Sequence, residues 1–403
     1  MKKIALILSF LPLLLNMISC NKENDKIDNT LNDSPVNPIE STTTDWPTFH
    51  GNNGNWSYST SIVPKTQPSL KWSKDICGPT DGDFCEPIVA DGVIIIIDEK
   101  FVKAFNFETG ETLWTINSYG FLSGGVIENG ILIFARELVY YGVNLHTGKE
   151  IWSYKLNKEV YADVVWSNPK IENNKLIFTY GNSLYSLDIN TGIENWVIKF
   201  TIPVGHSTPS ISDGIAYFSG KDLNSGISKI YAVDLNTKNV VWTLNGLGGN
   251  SSFGTELSNL VIIVGDNLLF SVYSTIYCLN KKTLDIKWQK YNDYSIIDNK
   301  SPAFNINTMI YFNNSIIYKI DLNSGEILQQ RYHTSTIVYP SISNDKIIGY
   351  KEEAVTAWDL ESLEIIWSIV GGLGDENKPV IANGKVIVIT YSNITTLSHL
   401  NVY

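Results

Sequence analysis

The chain has 403 residues, 43% of them hydrophobic, with 41 acidic against 30 basic side chains and a formal charge of −11. Such an acidic chain without a basic stripe excludes a nucleic-acid binder, and its apolar share is enough for a large core. Removing a leader that carries Lys2 and Lys3 takes the charge to −13.

In chain order, the first element is that leader. Residues 1–19, MKKIALILSFLPLLLNMIS, pair two lysines with a short apolar run, the pattern of an export signal. Met17-Ile18-Ser19-Cys20 resembles a bacterial lipobox, which implies cleavage before Cys20 and lipidation of its thiol; a plain signal peptide with an incidental Cys is the alternative. Residues 20–44 read as a lipid-anchored, flexible polar tether. Asn21, where an Asp would retain the protein at the inner membrane, favours the outer membrane by resemblance to bacterial sorting rules. Lys22-Glu23-Asn24-Asp25 resembles a charged surface-export signal, so the periplasmic face and the cell surface both stay open. Cys77 and Cys85 flank GPTDGDF and are expected to pair in an oxidising compartment; a metal site there lacks two further ligands. Cys278 reads as a buried free thiol.

From Ala104 onward one eleven-residue hairpin is written seven times: AFNFETGETLW, GVNLHTGKEIW, SLDINTGIENW, AVDLNTKNVVW, CLNKKTLDIKW, KIDLNSGEILQ and AWDLESLEIIW. The third position is always Asp or Asn, the sixth always Thr or Ser, residue types whose short polar side chains bond turn backbone. Gly fills the seventh position in four copies, where a turn often needs positive φ. The last position is Trp114, Trp152, Trp196, Trp242, Trp288, Gln329 and Trp367, at intervals of 38 to 46 residues. Upstream of most hairpins lies a polar or small stretch, often Pro, then an apolar strand, as in EPIVADGVIIII from Glu86 to Ile97. Four strands per period of about forty residues predict propeller blades.

The chain ends fix the number of blades. LSHLNVY, from Leu397 to Tyr403, is the first half of a hairpin with no outer strand, and PSLKW, ending at Trp72, is an outer strand with no hairpin before it. The N-terminal strand is expected to complete the last blade, giving an all-β, eight-bladed ring over residues 45–403 with no open edge. The outer-strand tryptophans, Trp72 included, are read as blade-packing residues.

DWPTFHGN, from Asp45 to Asn52, followed by seven A-x-D-x-x-T-G-x-x-x-W hairpins, resembles the pyrroloquinoline-quinone-type repeat propellers. The resemblance implies eight blades. It also implies two kinds of function, because the family holds both quinone-dependent dehydrogenases and a non-catalytic outer-membrane assembly-factor lipoprotein. The anchor, length and blade count resemble the lipoprotein. The alcohol-oxidising members use a disulfide between adjacent cysteines against the quinone, and this chain has no adjacent pair and no long funnel-building insertions.

The expected function is therefore a non-catalytic, membrane-tethered scaffold with a protein partner or surface ligand on one ring face, a monomer within a larger complex, without cofactor or metal. The alternative is a dehydrogenase using pyrroloquinoline quinone (PQQ) and calcium. Candidate channel or ligand-binding residues sit where chains lead into the inner strands: Glu86, Asp163, Trp166, His206, Lys300, Tyr339, Glu376 and Lys378. Glu86, Asp163 and Glu376 are placed to combine with Lys300 and Lys378 across the channel. No H-E-x-x-H, G-x-S-x-G or P-loop motif occurs.

Overall fold

A computed structural model describes residues 45–76, 86–117, 120, 123–158, 167–222, 224–246, 257–291, 302–313, 315–335, 337–370, 373–374, 378–392 and 397–403. Every regular element among them is a β-strand. The strands form an eight-bladed propeller of four-stranded antiparallel blades. The first blade runs from channel to rim as Ile88–Ala90, Val93–Asp98, Phe101–Asn106 and Thr112–Asn117. The second strand of that blade is buried at every residue because both its faces are covered by neighbouring blades, so it reads as a continuous apolar run. The outer strand alternates between exposed and half-buried residues.

Each hairpin closes as its polar columns require. The side-chain oxygen of Asn106, Asn144, Asp188, Asp234, Asn280, Asp321 or Asp359 accepts the backbone N–H groups two and three residues on. The seventh position has positive φ in all seven copies, including the three that lack Gly: Lys238, Leu284 and Leu363. The turn demands that conformation whichever residue occupies it.

The outer-strand tryptophans reach across to the next blade. Trp72, Trp114, Trp152, Trp242 and Trp288 donate their indole N–H to the carbonyls of Phe107, Leu145, Ile189, Lys281 and Leu322, beside the neighbouring turn. Trp72, Trp152, Trp288 and Trp367 are buried, whereas Trp114, Trp196 and Trp242 are half-buried. The eighth blade closes as expected. Trp72–Ile76 pairs antiparallel with Leu397–Val402, and His399 Nδ1 lies 2.8 Å from Asp75 Oδ1 across that seam.

Candidate functional site

An inner strand leaves one edge unpaired toward the channel. Here residues 45–63 bond that edge in seven blades and the inner turn of the eighth, passing the blades in order. Trp46 exchanges two backbone bonds with Val89, and Ile127 N–H donates to Pro47. Asn53 donates its side-chain amide to the Ile171 carbonyl and accepts from Ile211 N–H. The Trp56 indole donates to Ile263 O at 2.5 Å, and Trp56 O accepts from Phe304 N–H. Tyr58–Ser59 then pairs in parallel with Ile342–Ser343, and Ser61 Oγ accepts from Gly384 N–H in the last blade. Val89, Ile127, Ile171, Ile211, Ile263, Phe304 and Ile342 hold the same register position in successive blades. To follow this circle the segment takes positive φ at His50, Gly51, Asn55 and Ser57.

Asp45 lies on the face that carries the hairpin turns, where it bonds Asp91 N–H and the Asn383 amide. The segment forms a floor across the channel, held by three buried charges from the ring. Glu86 Oε1 accepts from the Trp46 indole at 2.7 Å and from His50 N–H at 2.8 Å. Lys170 Nζ donates to the carbonyls of Phe49 and Asn52, at 2.7 and 2.9 Å. Lys378 Nζ donates to Ser57 Oγ at 2.7 Å. His50 is fully buried among them, stacked on Phe49, with Nε2 3.9 Å from Glu86 Oε2.

Burial controls the titration of this cluster. It brings the Lys170 ammonium down to about 7, the Glu86 charge opposing. It pushes the Glu86 carboxyl up, against the Trp46 indole bond and the Lys378 charge. His50 is held well below the ordinary imidazole range by burial first and then by the Lys378 and Lys170 charges. A buried, neutral imidazole follows.

Of the residues singled out from sequence, Glu86 and Lys378 come together around His50. Both stand one position before the proline that opens an inner strand, and Tyr339 holds the same position in the seventh blade. Tyr339 is buried at φ 58°, an unusual conformation for an aromatic residue, with its ring edge-on to Tyr350. His206 lies on the opposite, loop-bearing face with Lys221, Ser207 and Asn259 around a crevice of about 10 Å³. Burial and then the Lys221 charge lower its pKa. Asp163, Trp166, Lys300 and Glu376 lie outside the described residues, as do Cys20, Cys77 and Cys85. Lys170, which follows its proline instead of preceding it, completes the buried cluster and was not among the sequence candidates. Its signal was a lysine inside a strand otherwise fated for burial.

The repeat, the ring and the closure by an N-terminal strand lead to one family. The family model for the outer membrane protein assembly factor BamB, a PQQ-type repeat, matches residues 98–331. The chain belongs to this family. No curated protein matches it in sequence. In fold, this PQQ-type propeller is similar to BamB from Moraxella catarrhalis, with a TM-score of 0.60 and 15% identity over 83% of this chain and 99% of that one. It is also similar to a europium-containing methanol dehydrogenase, with a TM-score of 0.66 and 12% identity over 87% and 90%. The quinohemoprotein alcohol dehydrogenase ADHIIG from Pseudomonas putida HK5 gives 0.65 and 11% over 89% and 80%. At these identities the neighbours establish the fold alone, and they stand on both sides of the line between scaffold and enzyme.

Proposed function

We propose that the protein is a non-catalytic binding scaffold at the bacterial outer membrane, docking a protein partner on the loop-bearing face of the ring. The observation that carries this reading is the employment of the buried charges around the channel floor. Glu86, Lys170 and Lys378 all bond the N-terminal segment. A quinone and a calcium ion in the channel would need carboxylate and amide oxygens free to coordinate, and an Asp as base. In the buried cluster the carboxylate is Glu86, and its Oε1 already accepts two hydrogen bonds.

The family's description, an outer membrane protein assembly factor, supports a protein partner. The leader and Cys20 support a lipid anchor.

Three measurements test the reading. Palmitate labelling of the wild type, lost in Cys20→Ser, tests the anchor. Crosslinking in intact cells from the loop-bearing face, at Lys221 for example, is expected to capture a discrete partner that crosslinkers on the hairpin turns do not. Melting with and without PQQ and calcium tests the enzyme alternative. A bound chromophore, or stabilisation by both additions together, overturns the scaffold.

A further inference from the structure

The repeat is broken in one place, and a pocket lies there. In the hairpins of six blades a Trp stands opposite a small residue: Ala104, Gly142, Ser186, Ala232, Cys278 or Ala357. The sixth blade replaces both partners, setting Lys319 opposite Gln329. Lys319 reaches the seventh blade instead, bonding Glu361 at 2.8 Å. Beside this pair, on the turn-bearing face, is a cavity of about 290 Å³. Its walls are the Asn305–Thr308 turn, Lys319, Glu361, and two aromatic residues brought by the N-terminal segment, Trp56 and Tyr58.

We propose that this pocket binds one ring of a neutral sugar. Its chemistry is that of such a ligand. Lys319 and Glu361 neutralise each other within the wall, so the pocket has no net field for an anion or a cation. Trp56 is fixed by its indole bond to Ile263 O and by Gly54, where even a methyl would strike the indole nitrogen. It offers a rigid apolar surface to the C–H face of a sugar ring. Asn305 spends its carbonyl oxygen on the turn, on Asn307 N–H and Thr308 N–H, which leaves its amide N–H groups as donors. The Asn307 amide is exposed, without a side-chain partner among the described residues, and supplies a donor and an acceptor together. Hydroxyl groups need that mixture of donors and acceptors. The volume is at the small end of ligand pockets and suits a single ring. Where the other blades carry an indole, the sixth keeps only its hydrogen bond, Gln329 donating to the Ser362 carbonyl of the next blade at 2.9 Å. The site is on the face opposite the proposed docking loops and stands independently of them.

The test is saturation-transfer NMR on the full-length chain, with the methyl glycosides of glucose, galactose, mannose and fucose, and N-acetylglucosamine, each at millimolar concentration. At least one is expected to receive saturation. Asn307→Ala changes an exposed turn residue and is expected to weaken binding about tenfold without shifting the melting temperature; Glu361→Ala, which also leaves the buried Lys319 ammonium without its partner, is expected to weaken binding to a similar degree with some loss of melting temperature. Lys319→Ala with Gln329→Trp restores the pattern of the other blades and is expected to abolish binding while the ring stays folded. The proposal is overturned if none of the five sugars receives saturation, or if binding survives unchanged in the two single variants.

Discussion

Gly192 lies directly against the indole of Trp152 in the preceding blade. A methyl group on its Cα would come within 2.5 Å of Trp152 Cε3, and its φ is +67°. Gly192→Ala therefore suffers twice: about 1–2 kcal/mol for left-handed backbone, and about 1–3 kcal/mol for overpacking against the ring. Gly92 is the control, at φ +75° with nothing near the added methyl. Gly92→Ala is expected to cost the backbone share alone. Equal melting shifts for the two variants would show that the Trp contact carries no stability.

The turn aspartates set an acid limit. Backbone N–H bonds from Thr237, Ser324 and Ser362 hold Asp234, Asp321 and Asp359 below the usual carboxylate range. Groups with depressed folded pKa contribute stability that is present above the unfolded pKa of about 3.9 and is lost as pH falls through the folded value. Replacing all three by Asn, which Asn106, Asn144 and Asn280 already show to fit the turn, is expected to flatten the acid limb of stability below about pH 4. Urea melts at stepwise pH measure this; an unchanged slope would refute it.

The ring was legible in the sequence because its causes are local and repeated. The third-position Asp or Asn bonds N–H groups two and three residues away, and a Trp on every period but the sixth fills the gap, so both leave a mark at fixed spacing. The half-hairpins at Trp72 and Leu397 gave the closure for the same reason. The floor of the channel was not legible. Residues 45–63 have no period, and their partners lie as far as 338 residues away, as Asp45 and Asn383 do. Several of those contacts are backbone bonds, which side-chain identity does not encode, and the side-chain ones join residues too far apart in sequence to leave a pattern. Of the candidate residues, Glu86 and Lys378 were visible because they break an apolar pattern just before a proline. Lys170 was hidden by standing on the other side of one.

Lys170 offers the sharpest test of the buried cluster. Its buried ammonium satisfies two carbonyls of the N-terminal segment. Lys170→Met keeps the length and removes the donors, leaving Phe49 O and Asn52 O unpaired. Breaking a buried, bonded charge costs about 3–5 kcal/mol. Removing the ammonium also removes a positive charge beside Glu86 and His50. We expect a lower melting temperature together with new proteolytic cleavage within residues 46–58, the part of the chain the lysine pins. A variant that melts lower yet resists cleavage there would place the effect in the ring and not in the floor.

The N-terminal segment and the closing strand can be separated by truncation. A chain starting at Lys65 keeps Trp72–Ile76 and hence the five-residue pairing that closes the eighth blade. It loses residues 45–64, with Trp46, the Trp56 indole bond and the Pro64 carbonyl that accepts from Trp367. It also exposes seven inner-strand edges at once and leaves Glu86, Lys170 and Lys378 buried without their partners, a state far costlier than either loss alone. The Lys65 chain is therefore expected to form blades and yet melt in a broad transition well below the parent, because each blade would keep its hairpins and lose the one segment that ties all eight to a common axis. A sharp transition near the parent value would mean that the closing strand alone makes the ring cooperative, and that the floor is an addition the fold does not need.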